Sequence, residues 1–418
     1  MNALALPFAI SAATRRASAA PRELAFYQNP YAFYSALHAA GASSFFWEDY
    51  GHWCLAGFKE VNALFRDKRF GREILHVMTR EELGWPEPKP HLAAFAQTEK
   101  YSLLNLEPPD HTRLRTLVNR AFVSRNVEQL RPRIAALANE LIDGFEQEGE
   151  VELLKAFAAP IPAIIIAEMI GVPRDMAMQL VAWSNTMVQM YMFGVTEAAE
   201  HEANAASAGF MDYLRGLIAE RRRQPREDLL THMLTADPID GQKLTEDEVV
   251  STAILLLNAG HEATVHTTGN AVKTILESGL DPKTLFATPE QTAATVEECL
   301  RFDAPLHMFT RYALQDVELE GGISVRKGEV IGLMLGAANR DPLRFTHADT
   351  FDPMRSDGAN VSFGAGIHFC IGAPLARIEL QESLSALFRR LPGLRLAAPP
   401  RYNNVFHFHG LERLDVAW

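Results

Sequence analysis

The residue with the most evident chemistry lies in a glycine-rich stretch toward the C-terminal end. In Phe363-Gly-Ala-Gly-Ile-His-Phe-Cys-Ile-Gly-Ala-Pro-Leu-Ala-Arg377, Cys370 follows two glycines and precedes a third. Gly364 and Gly366 permit a tight turn with unusual backbone dihedrals. Beyond Gly372 the pattern predicts an amphipathic helix from about Ala373 to Arg390, with Pro374 tolerated in its first turn. Cys370 therefore stands at a helix N-terminus, where unpaired N–H groups and the helix dipole favour a thiolate over a thiol. A cysteine held this way is a nucleophile or a metal ligand. The other two cysteines, Cys54 and Cys299, complete no disulfide framework and no CxxC pair, which predicts a reducing, cytoplasmic location.

The rest of the chain must position that loop, and helical periodicity dominates it. Apolar residues recur at three- and four-residue spacing near 32–40, 57–66, 111–122, 127–147, 161–170, 175–191, 198–222, 245–277, 289–302 and 372–390. Strand-like alternation is confined to 45–54, 311–319, 330–335 and 411–418. The pattern predicts one mainly α domain with a small β portion over residues 25–418, behind a loose tail at 1–24. Of 418 residues, 48% are hydrophobic and 22% charged, as in globular proteins. A net charge of −12 argues against a nucleic-acid partner, and no apolar run approaches the roughly 20 residues that span a membrane.

The segment 245–277 predicts the longest helix, roughly 50 Å at about 1.5 Å per residue. Thr245 and Glu248 form a capping-box signature at its start. Leu256, Ala259, Gly260, Ala263 and Thr267 share one face of it, and three of these five are tiny. That face suits either close helix packing or a flat ligand.

The Cys370 stretch resembles the haem-binding loop of the cytochrome P450 family, whose cysteine thiolate is the proximal iron ligand. Glu298-Cys-Leu-Arg301 resembles the family's ExxR motif, with Arg355 in the position of the arginine that completes its ion-pair network. The resemblance implies a single-domain P450 fold with haem b between the long central helix and the Cys-loop helix. It further implies that His111, Arg115, Arg311 and His368 hold the propionates, and that Phe363, Gly364, Ala259 and Gly260 line the cofactor. It makes the protein a monomeric haem-thiolate monooxygenase, fed by a separate ferredoxin-type electron donor with its reductase. Arg113, Arg120 and Arg377 are expected to form a basic patch for that donor.

One departure bears on mechanism. The family usually places an acid and then an alcohol on the central helix, whereas Ala259-Gly-His-Glu-Ala-Thr264 has Glu262 followed by Ala263. Thr264 comes one residue late, about 100° around the helix. Proton delivery, normally shared by acid and alcohol, must then use Glu262 with Thr264, Thr267, His261, an ordered water or a substrate group. The alternatives are a peroxide-driven peroxygenase and a non-catalytic ligand-binding haem protein. By position, Leu256, His307, Met308, Phe309, Phe406 and His407 are expected to line the substrate pocket, with segments 70–98 and 187–193 nearby. Asn404 joins His307 and His407 as a polar anchor. This mixture predicts a small or mid-sized hydrophobic substrate carrying at least one oxygen.

Overall fold

The computed structural model describes residues 8–121, 127–191, 195–236 and 243–418. Nine helices carry the argument: α1 (Pro30–Ala39), α2 (Asp110–Ala121), α3 (Arg131–Asp143), α4 (Pro160–Ile170), α5 (Ala177–Val188), α6 (Glu197–Arg223), α7 (Glu246–Ser278), α8 (Pro289–Phe302) and α9 (Ala373–Arg390). Local chemistry sets their ends. Thr245 accepts from the Glu248 N–H and the Glu248 carboxylate accepts from the Thr245 N–H, closing the capping box expected for α7. Thr196 and Thr288 cap α6 and α8 through their hydroxyls. Gly279, at φ 72°, ends α7 in the left-handed conformation that glycine adopts without penalty.

A seven-stranded sheet stands beside the helices. Its strands are β1 (Phe8–Ser11), β2 (Arg16–Ala19), β3 (Ser44–Trp47), β4 (His52–Leu55), β5 (Phe70–Gly71), β6 (Met308–Ala313) and β7 (Val330–Met334). Their spatial order is β1-β2-β3-β4-β7-β6-β5, antiparallel except for β2–β3 and β4–β7. The continuous strand expected over 45–54 is two strands joined by a turn at Gly51, which has φ 69°. The loose tail expected over 1–24 is corrected for its described part. Residues 8–19 form a hairpin, and β2 pairs in parallel with β3 while Ala17 and Ala19 are buried. The small side chains of Ala17 and Ala19 let this hairpin lie flat on the aromatic cluster of Phe26, Phe33, Phe45 and Trp47.

The main core joins α2 to α9 around α7, with a second cluster of Leu55, Val61, Phe65, Phe70, Ile331 and Leu333 behind the sheet. Between them lies a buried ionic knot. Arg301 donates two bonds of 2.7 Å to the Glu298 carboxylate, and Arg355 Nε reaches the same carboxylate at 3.3 Å. Arg301 also donates to the carbonyls of Asn339 and Ala348, and the Asp352 N–H donates to Glu298. Glu298 and Arg301 are 4% and 2% exposed, so the charges survive only because every polar edge is paired.

Removing one member should therefore be costly. Glu298→Ala is expected to lower unfolding stability by about 3–5 kcal/mol, since it strands a buried guanidinium. Glu297→Ala breaks the more exposed Glu297–Arg377 pair and should cost under ~1 kcal/mol. Urea unfolding of the two variants side by side checks the contrast.

Candidate active site

The Cys370 loop is closed by its own backbone. The Cys370 N–H donates to the Phe363 carbonyl at 3.0 Å, and the Gly364 N–H to the Val361 carbonyl at 2.8 Å. Gly364 and Gly366 have φ 67° and 72°. A Cβ on Gly366 would overlap the Phe65 carbonyl oxygen, so two demands meet at that position. The Arg377 guanidinium lies 4.6 Å from the centre of the Phe363 ring and bonds Glu297, tying the loop to α8. Cys370 keeps some exposure, whereas Cys54 and Cys299 are fully enclosed. Burial pushes the Cys370 thiol up; the N–H groups of Gly372 and Ala373 and the guanidiniums of Arg115 and Arg377 pull it back only in part. The helix N-terminus thus does not by itself produce the thiolate expected from its position. A bound cation would supply what is missing.

Near this loop, positive groups converge. The rings of His111 and His368 lie 4.4 Å apart, and neither Nε2 has a hydrogen-bond partner among the described residues. His368 Nε2 is 3.4 Å from a Glu107 oxygen, ion-pair distance without hydrogen-bond geometry. Burial pulls His111 down to about 4, helped by repulsion from His368 and Arg115. Arg311 is 5% exposed; burial, then repulsion from Arg72, takes it down to about 9. Arg115 donates to the Phe369 carbonyl at 2.6 Å. His111, His368, Arg72 and Arg311 thus share the Glu107 carboxylate, an excess of donors that suits an anionic ligand. Arg72 and Glu107 had no signal in the sequence, being brought in from far along the chain.

Midway along α7 an accessible stripe opens: Ala259 is exposed, and Leu255, Glu262 and Ala263 are half-buried. Of the expected face, Ala259 and Ala263 belong to this stripe and Gly260 is half-buried, where a Cβ would come 2.5 Å from Ile166 on α4. Leu256 belongs to the core and Thr267 is buried. Thr264, Thr267 and Thr268 donate to the carbonyls of Gly260, Ala263 and Thr264 at 3.1, 2.7 and 2.9 Å. The Thr264 and Thr267 hydroxyls are therefore committed to the backbone, and His261 is buried. His266, not singled out in the sequence, places Nε2 3.7 Å from the Glu262 carboxylate. Its four-residue spacing from Glu262 was the available signal.

Comparison with known proteins decides what this arrangement is. The Cytochrome P450 family profile matches residues 73–277 and 290–392. The chain is 36% identical over 397 residues to the biotin biosynthesis cytochrome P450 of Bacillus subtilis (strain 168), covering 94% of this chain and 97% of that one. The vitamin D(3) 25-hydroxylase of Pseudonocardia autotrophica is 35% identical over 396 residues, with 94% of each chain covered. A crystal structure of P450BioI in complex with hexadec-9Z-enoic acid ligated acyl carrier protein superposes with TM-score 0.85 at 35% identity, covering 94% of this chain and 99% of that one. The chain belongs to the cytochrome P450 family. It is a P450 monooxygenase, an oxidoreductase whose cofactor is haem b.

The P450 assignment can be tested against the side chains present. Haem b brings two propionates and an iron, and the unpartnered donors beside Arg311 and the partly exposed Cys370 fit both. Several other expectations are corrected. His307 is fully buried, with its two ring nitrogens 2.9 Å from the Tyr34 hydroxyl and 3.2 Å from that of Tyr31. Met308 is core beneath the N-terminal sheet, and Phe406 packs edge-on against Phe26. His407 Nε2 lies 3.2 Å from the Tyr50 hydroxyl, and Asn404 donates to the Arg22 carbonyl. Of the expected pocket residues, Phe309 alone stands beside the cationic cluster, under the Arg72 guanidinium at 5.5 Å. In segment 70–98 a short helix begins at Ala93, and residues 192–194 lie outside the described residues.

The basic patch also loses members: Arg113 pairs with Glu248 and Arg377 with Glu297. The Arg120 side chain lies outside the described ones. No helix of the described residues is long and apolar enough to cross a membrane. Because Arg311 is buried among like charges, Arg311→Ala should speed haem loss to an acceptor globin by about tenfold or more, equivalent to ~1.4 kcal/mol or above. A stopped-flow transfer assay reads it.

Proposed function

We propose that Cys370 is the proximal iron ligand, and that haem b lies between the Cys370 loop and the Ala259–Ala263 stripe. His111, Arg115, Arg311 and His368 hold its propionates, and Phe363, Gly364 and Ala259 line it. The observation that carries this reading is the pairing of a loop-held cysteine with donors that lack an anion. Bound haem supplies oxygen activation, which thiolate ligation favours by pushing electron density onto iron.

The protein's own residues do the rest. Glu298, Arg301 and Arg355 hold the loop's support in place, and Glu262 is the acid that moves protons toward the stripe. The substrate is a small or mid-sized hydrophobic molecule carrying an oxygen, oxidised with one atom from dioxygen. Electrons come from a separate ferredoxin and reductase, and the protein acts as a cytoplasmic monomer whose domain takes in the 8–19 hairpin. The relatives' names span biotin biosynthesis, vitamin D(3) and mycinamicin IV, so similarity near 36% supports the reaction class without choosing a substrate.

Reduced protein under carbon monoxide is expected to show the strongly red-shifted Soret band of thiolate ligation. Cys370→Ala should lose it while Cys54→Ala and Cys299→Ala keep it; retention in Cys370→Ala removes the assignment. Ala263 favours one second reading, turnover driven by peroxide, and Glu262 argues against it. Product from a ferredoxin system with dioxygen, compared with product from hydrogen peroxide alone, separates the two.

The committed hydroxyls give a further expectation. Thr264→Ala should leave product formed per electron consumed nearly unchanged, whereas Ala263→Thr adds a hydroxyl to the accessible stripe and should alter it. A large loss in Thr264→Ala would show that its hydroxyl leaves the Gly260 carbonyl during turnover.

A further inference from the structure

His266 is a buried ionisable group that the mechanism above leaves unused. It is 8% exposed, and neither ring nitrogen has a hydrogen-bond partner among the described residues. An imidazole so enclosed ordinarily costs free energy unless something polar compensates it. The nearest such group is Glu262, one turn back on α7, whose Oε1 lies 3.7 Å from His266 Nε2. A small side-chain rotation closes that gap.

The ring is set by packing. A Cβ on Gly410 would overlap it, so the C-terminal segment presses bare backbone against the imidazole. That backbone is itself fixed: Asn270, one turn further along α7, donates to the His409 carbonyl at 2.9 Å, and the Asn403 N–H donates to the Gly410 carbonyl. Other charged groups around His266 are few. On α7 these are His261 and, further along, Lys273, which pairs with Glu277. The C-terminal segment brings the Phe408 ring, and its His409 turns to Asp303. The 154–158 turn contributes apolar Leu154 against Gly269, while its Lys155 is exposed. Glu262 is thus the one carboxylate at ion-pair distance from this imidazole among the described residues.

We propose that His266 is a positioning residue for Glu262: its Nε2 holds the carboxylate beside the stripe, a task for which position 263 offers no hydroxyl. This rests on Glu262 being the proton-delivering acid, as proposed above. Without that hold, coupling of electrons to product should fall.

The test uses the haem-loaded protein, reduced and carbon monoxide-bound, with histidine ring labels followed by NMR. Glu262→Gln is expected to move the His266 ring signals, because the neighbouring carboxylate is gone. His266→Asn should lower product formed per electron consumed about twofold or more. Gly410→Ala, which displaces the ring but keeps both side chains, should lower it too. Should Gly410→Ala fail to load haem, His266→Gln takes its place. Ring signals unmoved in Glu262→Gln, or unchanged coupling in His266→Asn, overturn the proposal. The red-shifted carbon monoxide band keeps the two readings apart. Its absence from the parent protein sinks the haem-thiolate assignment, whereas its presence with unmoved ring signals sinks only the role of His266.

Discussion

The Glu298–Arg301 pair is the contact on which the Cys370 loop depends. Arg301 donates to the Asn339 carbonyl, and the Asn339 side chain then accepts from the Val361 N–H and donates to the Ser362 hydroxyl. Ser362 donates to the Leu300 carbonyl, next to Arg301, so the path returns to its starting helix. Two residues further on, the Gly364 N–H bonds the Val361 carbonyl and the loop begins. An unbroken series of hydrogen bonds therefore runs from a buried ion pair to the backbone that presents the cysteine. Buried ion pairs add little net stability. This one fixes geometry, since a guanidinium has five donors in a rigid plane and all its neighbours must conform to it.

The cationic cluster has the opposite character. His111 is opposed by His368 and Arg115, and Arg311 by Arg72, and burial makes each repulsion harder to screen. Such an arrangement stores a cost that an anionic ligand repays, so cofactor binding and folding of this region are linked. Glu107 offsets part of the cost. The ion-pair knot and the cluster therefore divide the work, one holding the loop in position and the other favouring the occupied state.

What the sequence made legible follows from how local each feature is. The tight turn before Cys370, the capping box at Thr245 and the Glu298–Arg301 pair are contiguous or within one turn, and the geometry of all three is as expected. Leu256 departs from its expected place because α7 is apolar on several sides, and periodicity alone cannot say which side meets the core. His307, Met308 and Phe406 depart from the expected pocket because their partners are remote in sequence. Tyr34 lies 273 residues from His307, and no spacing rule reaches that far. Arg113 and Arg377 were read as free charges for the same reason, since Glu248 and Glu297 arrive only through the fold. The β1–β2 hairpin was hidden by its small residues, which carry almost no hydrophobic signal and serve by leaving room.

The threonine hydroxyls on α7 determine how water meets the accessible stripe. With the Gly260, Ala263 and Thr264 carbonyls each taking a hydroxyl besides their helical bond, that run of backbone has few sites left to anchor solvent. Glu262 is the polar exception, so wetting is confined to one end of an otherwise apolar strip. Any further ordered water there must be held by the molecule that fills the space. The shape of the guest, more than the wall, then decides how dry the chamber becomes.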